Sequence, residues 1–224
     1  MLFWFLFVLA FIPCLILFPI KKVGKKNLKE LKGKNYIISC NHMSNNDAPM
    51  LDIRFCRKHY FLAKKELFNG KIKSAFIKSL GGVKVDRQKV EPSSIKEVLR
   101  LIGKNKHICI FPQGTRAKTP YIEDGSAKEG VAMFSIRTNT PVVPMMYNKK
   151  IKPFRRVKLY IGKPIYPDET RKGDKTYLAE FADLIVSKMN ALLEGENKQW
   201  KWKILILAWH NTIAGTSSLA QLLW

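Results

Sequence analysis

The stretch Tyr36-Ile37-Ile38-Ser39-Cys40-Asn41-His42-Met43-Ser44-Asn45-Asn46-Asp47 begins as one kind of structure and ends as another. Tyr36 to Cys40 has the length and β-branched content of a buried strand. Asn41 to Asp47 is a polar turn holding a histidine and an aspartate five positions apart. A rigid strand that ends in an exposed loop is a common mount for reactive side chains. The imidazole of His42 can take and return a proton near neutral pH, and a carboxylate within reach fixes its tautomer. Five residues exceeds the spacing of helical neighbours, so the pair meets only if Asp47 sits on the first coil of a following helix. The same residues also suit a plain polar turn in which Asn, Ser and Asp cap a helix. On spacing alone both readings stand, and capping is the commoner use.

Outward from this junction, short apolar runs alternate with helical periods. Leu51 to Phe55 reads as a helix start and Tyr60 to Ala63 as a strand. Ile72, Ala75, Phe76 and Leu80 keep helical spacing, and Gly81 to Val85 reads as a turn into a strand ending at Arg87. Ser94 and Glu97 fit a capping box ahead of a helix closing near Gly103 to Asn105. His107 to Phe111 is a second buried strand, running into Pro112-Gln113-Gly114-Thr115-Arg116. There a glycine allows close approach, a hydroxyl can donate, and an arginine can fork onto an anion. A helix over 127–138, strands over 142–147 and 157–161, and a closing helix marked by Leu178, Phe181, Leu184, Ile185, Met189 and Leu192 complete the unit. The order predicts an α/β fold over 21–195, a mixed sheet flanked by helices.

Residues 1–20 carry no charged side chain, and Lys21, Lys22, Lys25, Lys26 and Lys29 follow directly. As one helix the run would be about 30 Å long, the thickness of a hydrocarbon core. Its basic flank would stay cytoplasmic. We therefore expect 1–20 to be a hydrophobic membrane anchor, 21–195 the folded α/β domain on the cytoplasmic face, and 196–224 a Trp/Leu-rich tail, with an interfacial position and docking back on the core as its two equal alternatives. Pro13 leaves a dip into one leaflet competing with a full span. The formal net charge of +23 suits anionic lipid or an acidic protein. No zinc-finger, RRM or KH pattern accompanies that charge, so nucleic acid is not the expected partner. Four cysteines show no paired spacing for a metal, and Cys40 and Cys109 fall in strand-like runs as small buried hydrophobes.

Taken in order, Asn41-His42-x4-Asp47, Gly82 to Arg87, Phe111-Pro112-Gln113-Gly114-Thr115-Arg116 and Val143-Pro144 form a set. The set resembles the 1-acylglycerol-3-phosphate O-acyltransferase (lysophosphatidic acid acyltransferase) family over roughly residues 23–190. The resemblance implies acyl transfer from a thioester, acyl-CoA or acyl carrier protein, to the hydroxyl of a lysophospholipid acceptor, with no bound cofactor and no metal. It makes His42 the general base and Asp47 its orienting carboxylate. Arg87 and Arg116 would bind the acceptor's phosphate, Gly114 and Thr115 would shape that pocket, and Val143 and Pro144 would serve structure and the acyl side. Where the family commonly carries glutamate this chain has Gln113, which keeps the size and one acceptor but loses the charge and could shift acceptor choice. A different lysophospholipid or lyso-aminolipid acceptor is the enzymatic alternative. A basic membrane-attached protein binding anionic lipid or nucleic acid is the non-enzymatic one.

Overall fold

A seven-stranded mixed sheet runs through the centre of the chain, in the order β1-β7-β6-β2-β5-β3-β4. The computed structural model describes residues 2–86, 92–123 and 129–213, with the backbone alone at 2, 3, 6 and 196–213. The strands are β1 (Ile20–Val23), β2 (Ile37–Cys40), β3 (Tyr60–Lys64), β4 (Gly82–Val85), β5 (Ile108–Ile110), β6 (Val142–Tyr147) and β7 (Val157–Ile161). Five strands, β6, β2, β5, β3 and β4, run parallel; β7 is antiparallel to β6, and β1 is parallel to β7. The long helices are α1 (Leu2–Leu17), α2 (Asp47–Phe55), α3 (Lys71–Ser79), α4 (Pro92–Gly103), α5 (Gly130–Thr138) and α6 (Tyr177–Ile213).

The central strands are apolar on both faces because both faces are covered. Ile37, Ile108, Ile110, Val142 and Met146 point into one core, with residues of α4, α5 and α6. Ile38, Cys40, Cys109, Val143, Met145 and Tyr147 point into the other, with Met50, Leu51 and Ile53 of α2. A proline inside central β6 forfeits a ladder donor and needs room. Gly162 supplies the room: a Cβ there would come within 2.7 Å of the Pro144 ring.

Three expectations change. First, residues 1–20 are not one helix. The helix stops at Leu17 after 16 residues, about 24 Å, and Ile20 enters β1 with 2% exposure. Phe7, Phe11, Cys14, Leu15 and Phe18 pack α1 onto the second core, so a domain boundary at 20/21 falls inside a strand of the folded unit. Among the described residues no helix is long and apolar enough to cross a membrane. The strand was hidden by Lys21 and Lys22, whose charges read as a membrane flank rather than an edge strand. Second, Ser94 is no cap. Its helix starts at Pro92, suited to a first turn, and the Ser94 hydroxyl donates to the Lys84 carbonyl (2.9 Å). Glu97 pairs with Arg100 instead. Third, the closing helix runs on to Ile213 rather than ending near 195, and Leu184 on it is exposed. The expectation for the tail 196–224 falls on residues whose side chains, and beyond 213 whose backbone, lie outside the described set.

Candidate active site

Topology alone marks where a site belongs. The connection leaving β2 runs to α2 over one face of the sheet, while the connection leaving its neighbour β5 runs to α5 over the other. Adjacent strands whose loops part in this way open a crevice at their C-terminal ends. His42 follows β2, and Gln113 follows β5.

The turn after β2 folds onto a single carboxylate oxygen. Asp47 is the first residue of α2 and is fully buried, at a helix N-terminus where negative charge is favoured. Its Oδ2 accepts from His42 Nδ1 (2.9 Å), from the Met43 N–H (2.7 Å) and from the Ser44 N–H (2.7 Å). The capping use foreseen for the turn is not the one made: Asn46, at the cap of α2, forms no side-chain cap bond, and the Asp47 carboxylate instead holds the imidazole and the loop together. With Nδ1 donating to Asp47, Nε2 is the nitrogen left to accept a proton. The imidazole stacks on Phe111 at 4.4 Å and keeps 16% of its side chain exposed.

The loop after β5 locks the other side. The His42 N–H donates to Gln113 Oε1 (2.8 Å), and the His42 carbonyl accepts from the Ala117 N–H (2.8 Å). Gln113 therefore faces the backbone of His42. A carbonyl oxygen suffices for that bond, which explains why an uncharged residue serves here. Asn41, fully buried, ties three segments. Its Nδ2 donates to the carbonyls of Tyr147 (2.9 Å) and Pro120 (3.0 Å), and its Oδ1 accepts from the Tyr147 N–H (2.8 Å). Sequence reasoning gave Asn41 no role of its own; a polar residue directly before His42 at the end of a buried strand was the available signal.

Arg116 is exposed and joins the same neighbourhood: its Nη1 donates to Asn45 Oδ1 (3.1 Å), within the His42 turn. Thr115 is exposed beside it, and Gly114, with φ +66°, lines the cavity described next. Arg87 lies outside the described residues. Val143 and Pro144 sit buried in mid-β6, paired with Ile38 and Ser39, and neither lines that cavity.

The cavity, of about 710 Å³, is lined by His42 and Asn45 and walled mainly by apolar side chains. Phe61 and Leu62 of β3, Ile77 and Leu80 around α3, Ile95 and Val98 of α4, and Met133 and Phe134 of α5 contribute. These residues are scattered over the chain, and no local pattern in the sequence could assemble them. Among the described residues no group of three or more His, Cys, Asp or Glu is placed to hold a metal. Cys40 is fully buried, and burial pushes its thiol well above the usual range, which removes it as a nucleophile.

A second histidine–aspartate pair shows why exposure matters. His59 Nδ1 and its own N–H both bond Asp52 Oδ1 at 2.8 Å, geometry as good as that of His42. Yet His59 shows 2% of its side chain and takes no part in lining the cavity beside His42. Burial pushes the Asp52 carboxyl up although His59 draws it down. This pair clamps α2 to β3.

A family profile described as Acyltransferase matches residues 19–148. A Bacillus subtilis protein named 1-acyl-sn-glycerol-3-phosphate acyltransferase is 30% identical over 186 residues, 80% of this chain and 89% of that protein. A Streptococcus pneumoniae protein of the same name is 26% identical, over 75% of this chain and 63% of its own length. Among solved structures, the 1-acyl-sn-glycerophosphate (LPA) acyltransferase from Thermotoga maritima superposes with a TM-score of 0.59 at 23% identity, over 79% of this chain and 72% of that one. At that identity the last likeness speaks for the fold.

Proposed function

The chain belongs to the acyltransferase family, and from that premise we propose that it moves a fatty acyl group from an acyl thioester to the free hydroxyl of 1-acylglycerol-3-phosphate, forming phosphatidic acid. The carrying observation is the imidazole of His42, tethered to Asp47 and lining a 710 Å³ apolar cavity. Such a cavity falls in the range of about 300–1,000 Å³ usual for small-molecule sites and suits a chain of methylenes.

His42 Nε2 takes the acceptor's hydroxyl proton as the oxygen attacks the thioester carbonyl. Asp47 holds the ring and offsets the charge of the imidazolium. The tetrahedral intermediate collapses, the C–S bond breaks, and the departing thiolate takes the proton back from His42. No acyl-enzyme forms, so neither Cys40 nor Ser44 is required. Arg116 at the rim, with Gly114 and Thr115, receives the acceptor's phosphate; arginine stays charged in a low-dielectric setting and presents a fork of donors. Arg87 is proposed as its companion on the resemblance alone. Gln113 acts by positioning His42 rather than by touching the acceptor.

The membrane side of the reading rests on α1. Trp4, Phe5, Val8, Leu9, Ile12 and Ile16 form an exposed apolar stripe, opposite the face packed on the domain. A helix docked along one face and bare along the other lies in one leaflet with the domain at the cytoplasmic surface. The test is acyl transfer from acyl-CoA and from acyl carrier protein, offered to lysophosphatidic acid and to a panel of other lysophospholipids. His42→Ala should cut the rate by about 100-fold or more while the variant stays folded. Full activity in that variant removes the mechanism, and a stronger response to another acceptor reassigns the substrate.

A further inference from the structure

The connection between β6 and β7 reads Asn148-Lys149-Lys150-Ile151-Lys152-Pro153-Phe154-Arg155-Arg156, with basic residues at 149, 150, 152, 155 and 156 and no acid. Lys150, Lys152, Arg155 and Arg156 are exposed, Lys149 is half-buried, and among the described residues none of the five is held in an ion pair. Ile151 is buried and pins the underside of the loop. Phe154, in contrast, is 75% exposed.

Its backbone adds a second observation. Phe154 has φ +59°, a left-handed conformation that a bulky aromatic residue rarely adopts. Two bonds hold it there: the Phe154 N–H donates to the Leu17 carbonyl (2.6 Å), and the Arg155 N–H donates to the Lys152 carbonyl (3.2 Å). Strain of this kind persists only where surrounding structure imposes it, and here it keeps an apolar ring in water. Leu17 is also the last residue of α1, whose bare stripe ends at Ile16. The loop thus sets one exposed ring beside the end of that stripe, on a segment that carries five cations. Because β6 is parallel to β2, the loop leaves the sheet at the same end as the His42 turn, and Asn41 bonds Tyr147 across the gap.

We propose that this loop is a binding site for an anionic bilayer surface. Phe154 enters the interfacial layer beside α1, while Lys149, Lys150, Lys152, Arg155 and Arg156 engage lipid phosphates. An aromatic ring beside a helix stripe, on a segment that carries cations, is the arrangement that an interface between hydrocarbon and anionic head groups favours. The site extends the membrane reading of α1, which requires only apolar contact, and it sets the domain's orientation by adding a second point of attachment.

The test uses the full chain in flotation with phosphatidylcholine vesicles, with and without phosphatidylglycerol, at low and high salt. The wild type should partition about tenfold or more in favour of the anionic vesicles at low salt, with that increment lost at high salt. The variant with Lys149, Lys150, Lys152, Arg155 and Arg156 all changed to Gln should lose the increment while keeping its binding to neutral vesicles, which reports on α1. Phe154→Gly relaxes the left-handed position, so its Tm should hold or rise while its binding weakens several-fold on both vesicle types. An unchanged anionic increment in the Gln variant, or unchanged binding in Phe154→Gly, overturns the proposal. So does a Gln variant that keeps vesicle binding but loses affinity for an acidic carrier protein, which would make the loop a protein dock. Activity on detergent-dispersed acceptor reports on acyl transfer separately, so failure of either reading is distinguishable.

Discussion

At the scale of single residues, Gln113 carries the most specific expectation. Its Oε1 accepts the His42 N–H at 2.8 Å, and a glutamate can offer the same lone pair in the same place. Gln113→Glu should therefore stay within about tenfold of the parent rate, with KM for the acceptor little changed. Gln113→Ala leaves that N–H without its partner, a cost of about 1 kcal/mol or more, and lets the turn drift. Its loss should fall on kcat, and steady-state kinetics on the pair of variants separates positioning from acceptor recognition. A fall confined to KM in both would mean that the side chain touches the acceptor after all. The His42–Asp47 pair became legible only through the ordered set of motifs and the family it resembles, because strand length and polar turn alone left capping the commoner reading. The partner of Gln113 was not legible, since it follows from the approach of two loops 71 positions apart.

At the scale of elements, the parallel strands and most helices could be read directly, because buried strands in a two-sided sheet are continuous apolar runs. Charge misled in β1, where lysines occupy an edge strand, and in α4, where a serine three residues before a glutamate bonds a neighbouring strand. His107, at the start of β5, shows another effect that only packing creates. Burial first, then the charges of Arg57, His59 and Lys106, pull its imidazole down to about 4. Arg57 Nη1 donates to His107 Nε2 (2.7 Å), an arrangement that requires the neutral ring. The unfolded chain takes up this proton below about pH 6.5, whereas the folded chain resists until about 4. Stability from this group is thus complete above pH 6.5 and declines as the pH falls toward 4. Thermal melts across that window should show a falling Tm, with a shallower slope in His107→Phe. An identical slope in both proteins would assign the acid sensitivity elsewhere.

Across the whole molecule, the surface divides between a charge of +23 and a bare apolar stripe on α1. Substituting exposed stripe residues should leave the fold almost untouched, since surface changes away from packed contacts stay within about 0.5 kcal/mol. Val8→Lys with Ile12→Lys should accordingly keep the Tm and detergent-phase activity of the parent while releasing the protein from neutral vesicles. Retention on those vesicles would shift attachment away from α1. The apolar N-terminus was plain in the sequence, but its docking was not: an all-apolar helix shows no preferred face until the second core is there to choose one. The seam of the crevice has its own corollary. His42 is rooted in the layer that α2 covers, and Gln113 leads toward the layer that α5 covers. A compound that wedged those two layers apart from behind would disarm the imidazole without ever entering the cavity, a mode of inhibition that no acceptor concentration could outcompete.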